Sequence, residues 1–221
     1  CTCSEKALCI GGRAPSHRKS EFADAEAAAL DLAGAEARVH GVSIDDVHFH
    51  ELADWDSLLR TLDLQKGLYP YSRPGAWNDP DMLQVGNGHL TSAENRAHFY
   101  LWAVLNAPLM AGNDLTRMSD EVRDLLIHPG IIAIDQDWSG EQGKLTWSAG
   151  DLQVWSKRMS AEAGGGIAAV LLNRSDSAGS FKLEQTVGAF AQVKDVWSGD
   201  SLGADSTVEV EPHGAVLVRM S

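Results

Sequence analysis

The sequence predicts an α/β portion followed by an all-β portion, on three observations. Between about residues 55 and 137, helix-period apolar runs alternate with a short apolar stretch, the rhythm of the last (β/α) units of a barrel. After Asp137 the rhythm changes to short β-rich runs separated by Gly, Ser and Asp, the spacing of an antiparallel β-sandwich of about 80 residues. Upstream, an alanine-rich stretch reads as a separate helical N-terminal segment. The expected division is residues 1–56, 57–142 and 143–221.

Each element has a local reason. Ser20 can cap a helix over 20–40; Glu21, Asp24 and Glu26 suit its positive end, and Gly41 stops it. Residues 42–50 read as loop and short strand. A second helix spans 55–65, with Trp55, Leu58, Leu59 and Leu62 on one face. Thr91 and Glu94 form a capping box that starts a helix to about Asn106, with Ala97, Leu101, Val104 and Leu105 inward. Residues 108–111 read as a short buried strand. Ser119, Asp120 and Glu121 then start a helix with Val122, Leu125 and Leu126 on its core face. The expected sandwich strands are 144–148, 152–157, 167–173, 180–184, 193–197, 207–210 and 215–220.

The chain has 221 residues, 44% of them hydrophobic, and a formal charge of −13. That charge argues against nucleic acid or an anionic membrane as a partner, since both repel an acidic surface. A neutral sugar is indifferent to it. No run of about 18 apolar residues is present to span a bilayer, and no signal-peptide pattern is visible. The first residue is Cys1 rather than Met, as expected of a fragment or a processed product. Cys1, Cys3 and Cys9 are expected to be free thiols, because a zinc set needs a fourth ligand.

Residues 75–88, Gly-Ala-Trp-Asn-Asp-Pro-Asp-Met-Leu-Gln-Val-Gly-Asn-Gly, say most about chemistry. Asp79 and Asp81 flank Pro80, which fixes its own backbone and extends the residue before it. Trp77 and Met82 supply flat and soft apolar surface beside them. A carboxylate beside an indole face suits a sugar, the acid binding hydroxyls and the ring its C–H face. The alternative is an Asx-turn ahead of a strand, with Trp77 part of the core.

From about residue 57 to the end, the chain resembles the C-terminal half of glycoside hydrolase family 27, the alpha-galactosidases. The resemblance rests on Arg-Pro-Gly-Ala-Trp-Asn-Asp-Pro-Asp-Met-Leu (73–83), Glu-Asn-Arg-Ala-His-Phe (94–99) and Gly-Asn-Asp-Leu (112–115). It continues through Ile-Ala-Ile-Asp-Gln-Asp (132–137), Val-Trp-Ser-Lys (154–157), Leu-Leu-Asn-Arg-Ser (171–175) and Asp-Val-Trp-Ser (195–198). It implies the last units of a TIM barrel followed by a β-sandwich without catalytic residues, and an alpha-galactoside as carbohydrate ligand. It also implies that Asp81 and Met82 contact the sugar, that Trp77 and Asp79 support or join them, and that Asn113 and Asp114 hold loop shape. Alpha-N-acetylgalactosaminidases and beta-L-arabinopyranosidases share this half. The sequon Asn173-Arg174-Ser175 falls inside a matching strand end and is expected to be unmodified.

The resemblance also implies a missing catalytic pair. The family uses two aspartates, from barrel strands four and six, as nucleophile and acid/base. The nucleophile's strand would need well over a hundred further residues upstream. The acid/base belongs to an Arg-x-x-x-Asp pattern five residues before the helix tryptophan. Counting back from Trp55 gives His50 for the Asp and Asp46 for the Arg, so no catalytic residue is assigned.

Residues from about 25 to 58 resemble the nickel-insertion protein family, which makes the nickel-pincer nucleotide cofactor. The match rests on Leu-Ala-Gly-Ala-Glu-Ala-Arg-Val-His-Gly-Val (32–42) and Val-His-Phe-His-Glu-Leu-Ala-Asp-Trp-Asp-Ser-Leu (47–58). It marks residues 1–56 as foreign to the rest. His48 and His50 alternate along a strand and so share a face, and Glu51 and His40 could complete a nickel or zinc set. The alternative is a half-buried strand with hydrogen-bonded histidines. No metal site and no cofactor is assigned; His48, His50 and Glu51 stand as candidates.

Overall fold

The computed structural model describes residues 54–221. The expected helix over 20–40, the strand within 42–50, the three cysteines, and His48, His50 and Glu51 lie outside that range.

Helix α1, Trp55–Leu64, starts where the Asp54 carboxylate accepts from the Ser57 amide at 2.7 Å, satisfying one of the free N-terminal N–H groups. It buries Trp55, Leu58, Leu59 and Leu62, the face expected from the sequence. Helix α2, Ser92–Leu105, carries both halves of its capping box. Glu94 N donates to Thr91 Oγ1 at 3.3 Å, and Thr91 N donates to Glu94 Oε2 at 2.7 Å. Asn106 ends it in the left-handed conformation. Helix α3, Asp120–Leu126, is capped by Ser119. Helix α4, Pro129–Asp135, follows with proline in its first turn, where a missing N–H costs nothing.

Eight strands follow: β1 Lys144–Ala149, β2 Leu152–Arg158, β3 Ile167–Asn173, β4 Gly179–Lys182, β5 Val193–Asp195, β6 Ser201–Leu202, β7 Thr207–Val210 and β8 Ala215–Met220. A short helix α5, Leu183–Thr186, sits between β4 and β5. Six strands form one antiparallel sheet in the order β1-β2-β3-β8-β5-β6, and β4 pairs with β7 alone. Strand β3 is buried on both faces. Ala168, Val170 and Leu172 face the helical core, with Trp155 and Leu217. Ala169 and Leu171 face the β4–β7 pair, with Val154, Phe181 and Val210. The sheet is therefore the middle layer between helices and a small second sheet.

Three expectations change. Residues 108–111 form no strand: a single parallel bridge joins Leu83 to Ala111, and Met110 is exposed, because no further described strand flanks them to extend the ladder. The run over 180–184 ends at Lys182, and its last residues open α5. The run over 193–197 ends at Asp195, whose Oδ1 accepts from Trp197 N and Ser198 N at 2.8 and 3.1 Å and curls the chain. The sequon asparagine is fully buried, and Asn173 Nδ2 donates to the carbonyls of Ser177, Val210 and Glu211. A glycan on Nδ2 would replace one of its two hydrogens and displace the carbonyls packed around it.

Polar anchors tie helices to sheet through the apolar layer. Arg174 donates through both terminal nitrogens to the two Asp63 oxygens at 2.8 and 2.9 Å, a fork geometry. His213 lies 2.7 Å from Glu94 and 2.9 Å from Asp176, with its ring stacked on Trp55. Deepest is Lys157, whose Nζ donates to Asn106 Oδ1 at 2.5 Å and to the Ile134 carbonyl at 2.6 Å. Burial pushes this ammonium down to about 8, although Asp137, Asp135 and Glu141 pull it the other way. Burial likewise pushes the Asp135 carboxyl up to about 7, against Gln136 and Lys157. Asp135 Oδ1 has no hydrogen-bond partner.

The sign of the pH dependence follows. Folded Asp135 holds its proton more tightly than unfolded aspartate, so unfolding releases a proton between about pH 4 and 7. Stability from this group falls as pH rises through that window. Unfolded lysine takes up a proton between about pH 8 and 10.5, so the Lys157 contribution rises with pH there. Melting temperatures from pH 4.5 to 7.5 should decline, and Asp135→Asn should flatten the decline. An equal slope in the variant would assign it to other groups.

Candidate sugar-binding site

Segment 81–86 is held by one face of α2. Three side chains spaced three and then four residues apart take three backbone groups along the segment: Gly86 N donates to Asn95 Oδ1 at 2.8 Å, Gln84 N donates to His98 Nε2 at 2.9 Å, and Trp102 Nε1 donates to the Asp81 carbonyl at 2.9 Å. His98 is fully buried, and burial pushes its pKa down to about 3, so the ring is neutral and accepts through Nε2. Its ring meets Trp102 edge-on at 4.1 Å between centroids.

Asp81 adopts φ +78°, a region L side chains enter at a cost of about 1–3 kcal/mol. Its amide donates to Asp79 Oδ1 at 2.9 Å, and its own Oδ1 accepts from the Met82 amide at 2.7 Å. With the Trp102 bond, these contacts over-determine the strained turn and present an exposed carboxylate. Met82 is set by Gly112: a β-carbon there would fall 2.8 Å from Met82 Sδ and 2.7 Å from the Leu83 carbonyl. The chains at 83 and 112 approach this closely because Leu83 N donates to the Met110 carbonyl and Gly112 N to the Leu83 carbonyl.

Asp81 and Met82 line one open depression of about 80 Å³ with Gln84, His98 and Trp102, and with Asp54 and Leu58 of the α1 end. Of the four sugar-site candidates, the structure brings these two together there. Asp79 braces the turn from beneath and is not in the lining. Trp77 is half-buried and packs its ring edge at Gly140, on the connection to the sheet. Asp114 closes the following turn, accepting from the Thr116 amide and hydroxyl at 2.9 and 2.6 Å, and these bonds hold its carboxyl below the ordinary value. Both polar side-chain atoms of Asn113 are buried without a partner. Sequence reasoning missed the roles of Asn95, His98 and Trp102; their common helix face was the available signal.

Among the described residues, no cluster of three metal-ligating side chains occurs. Asp54 and Asp81 are the two carboxylates of the depression, and Asp54 Oδ1 is committed to the α1 cap.

Comparison with known proteins agrees with this architecture. Residues 43–137 match the alpha galactosidase A family model, and residues 149–220 match the alpha galactosidase C-terminal beta sandwich domain. Residues 15–68 match the nickel insertion protein model. Alpha-galactosidase A of Cellvibrio japonicus is 37% identical over 194 residues, 78% of this chain and 46% of that protein. Alpha-galactosidase of Cyamopsis tetragonoloba is 35% identical, covering 74% and 41%. Alpha-N-acetylgalactosaminidase of Rattus norvegicus is 35% identical, covering 74% and 42%. Among solved structures, alpha-galactosidase I from Mortierella vinacea superposes with a TM-score of 0.65 at 28% identity, over 76% of this chain and 44% of that one.

These matches define a chain with the fold of a glycoside hydrolase. Over residues 43–137 and 149–220, together more than half of the chain, it belongs to glycoside hydrolase family 27, the alpha-galactosidases. It spans less than half the length of these relatives.

Two substitutions test the construction of the turn. Trp102→Phe keeps one aromatic ring but removes the N–H and leaves a small cavity, and should lower stability by about 1–3 kcal/mol in denaturant melts. Gly112→Ala forces a β-carbon against backbone and should lower it by about 1–3 kcal/mol. A neutral Gly112→Ala would show that the Leu83–Gly112 approach is looser than drawn.

Proposed function

We propose that this chain carries one wall of the sugar pocket of an alpha-galactosidase-type retaining hydrolase, built on the last (β/α) units of a barrel and followed by its β-sandwich. The carrying observation is the strained, doubly braced Asp81 turn, which presents a carboxylate and Met82 at the lip of the depression. Asp81 binds sugar hydroxyls and Met82 covers an apolar face, while Asp79 and Trp77 support the loop. The substrate is a terminal alpha-D-galactosyl residue; the identity to an N-acetylgalactosaminidase marks the 2-substituent as set by residues beyond this wall.

Retaining hydrolysis needs two carboxyl groups about 5 Å apart across the anomeric carbon, one as nucleophile and one as acid/base. The family's pair has no counterpart at matched positions: His50 and Asp46 stand where the acid/base pattern calls for Asp and Arg. Asp54 caps a helix, and the depression it shares with Asp81 is open to solvent. The chain on its own is therefore inactive. The purified polypeptide should release no nitrophenol from a nitrophenyl alpha-galactoside above a heat-denatured control. Measurable turnover, abolished by Asp81→Asn, would overturn that.

A second reading has its own observation, the match of residues 15–68 to the nickel insertion protein model. It overlaps the alpha-galactosidase match over 43–68, as expected of a junction between two families near Trp55-Asp56-Ser57-Leu58. On that reading His48, His50 and Glu51 bind nickel or zinc in a cofactor-assembly fragment. Calorimetry with each metal decides it: saturable heat lost in a His48→Ala/His50→Ala double variant supports the reading, and no metal-dependent heat removes it.

A further inference from the structure

Asn87-Gly88 is the one Asn-Gly pair in the sequence, and its side-chain amide has two anchors. Asn87 Nδ2 donates to Gln84 Oε1 at 3.0 Å and to the Gly112 carbonyl at 3.0 Å. The Asn87 backbone amide also donates to the Gln84 carbonyl at 2.9 Å, closing the turn. Asn87 is therefore a bridge, tying the turn after Val85 to a backbone carbonyl twenty-five positions on. Gly112 in turn donates to the Leu83 carbonyl at 3.0 Å and lies against Met82. The bridge thus closes on the same segment that carries Asp81 and Met82.

An asparagine followed by glycine has a reaction of its own. The glycine nitrogen gives its proton to water and attacks the asparagine Cγ. The Cγ–Nδ2 bond breaks, and ammonia leaves with a proton from solvent. Water then opens the resulting succinimide at either carbonyl, giving aspartate or isoaspartate. Glycine is the favoured neighbour because no side chain hinders the approach. The attack needs Cγ brought onto the following nitrogen in a reactive alignment. Turning the amide into that alignment carries Nδ2 off both of its acceptors, so the reaction draws on the population with the bridge open. The product cannot rebuild the bridge. It sets a carboxylate oxygen where Nδ2 donated, against the oxygens of Gln84 and Gly112. Gln84 can flip its amide to donate, whereas the Gly112 carbonyl has no such exchange.

We propose that Asn87 is a deamidation site gated by the Gln84–Asn87–Gly112 bridge, and that its conversion permanently loosens the segment carrying Asp81 and Met82. The bridge and its chemistry stand independently of any sugar ligand. The full chain is incubated in mildly alkaline buffer, native and in urea. Conversion of Asn87 is followed by peptide mapping, with isoaspartate counted by enzymatic methyl transfer. Asn87 should convert about tenfold or more slower in the native chain than in urea, the factor that two ordinary hydrogen bonds supply. Gln84→Ala removes one anchor and should raise the native rate about threefold or more, with the rate in urea unchanged. Asn87→Asp, a product of the reaction, should melt below the wild type and show faster hydrogen exchange at the Gly112 amide, which bonds to Leu83. No conversion of Asn87 in urea removes the site. Equal rates in native and urea-treated wild-type chain overturn the gate, as does a native rate that Gln84→Ala leaves unchanged. Wild-type melting and wild-type Gly112 exchange in Asn87→Asp overturn the loosening.

Discussion

Helix α2 is the element on which the rest depends, because it is buried on nearly every side and does two jobs with two faces. Ala97, Leu101, Val104 and Leu105 pack in the core shared with the six-stranded sheet. Asn95, His98 and Trp102 hold the backbone of 81–86 at Gly86, Gln84 and Asp81. A helix buried all round cannot shift to relieve one face without disturbing the other. The β layer therefore supports the position of the Asp81 turn without contributing a residue to it. The polar anchors at Arg174–Asp63, His213–Glu94 and Lys157–Asn106 fix the register of that packing, which apolar contacts alone leave free to slide.

Local signals in the sequence carried the elements that rest on local physics. The Thr91–Glu94 box marked the start of α2, and Leu58, Leu59 and Leu62 marked the buried face of α1. Strand β3 was legible as an apolar run, although the run does not say that alternate residues face different layers. Helix α4 went unread because Ile131, Ile132 and Ile134 are β-branched and its proline reads as a stop, whereas tertiary packing keeps it helical. The strand expected over 108–111 failed for the opposite reason: apolar composition suggests a ladder, but a ladder exists only where neighbouring strands supply partners.

The site was legible in composition and hidden in geometry. Trp77, Asp79, Asp81 and Met82 stood out as residue types, and two of them share the depression. The left-handed turn at Asp81 could not be read, since the Trp102 bond that helps to hold it spans twenty-one positions. Of the two sequence readings of Asp79, the structure shows the Asx-type bond to Asp81 N, next to the exposed Asp81 carboxylate.

The proposed reading assigns this wall no catalytic pair, and a mechanism-based reagent tests that most directly. A galactose-configured cyclitol epoxide esterifies the nucleophilic carboxylate of a retaining glycosidase, leaving a stable adduct visible by intact mass. Incubated with this chain, it should leave the mass unchanged. A stoichiometric increment mapped to a single aspartate or glutamate would contradict the account, because it would show that a poised nucleophile is present after all.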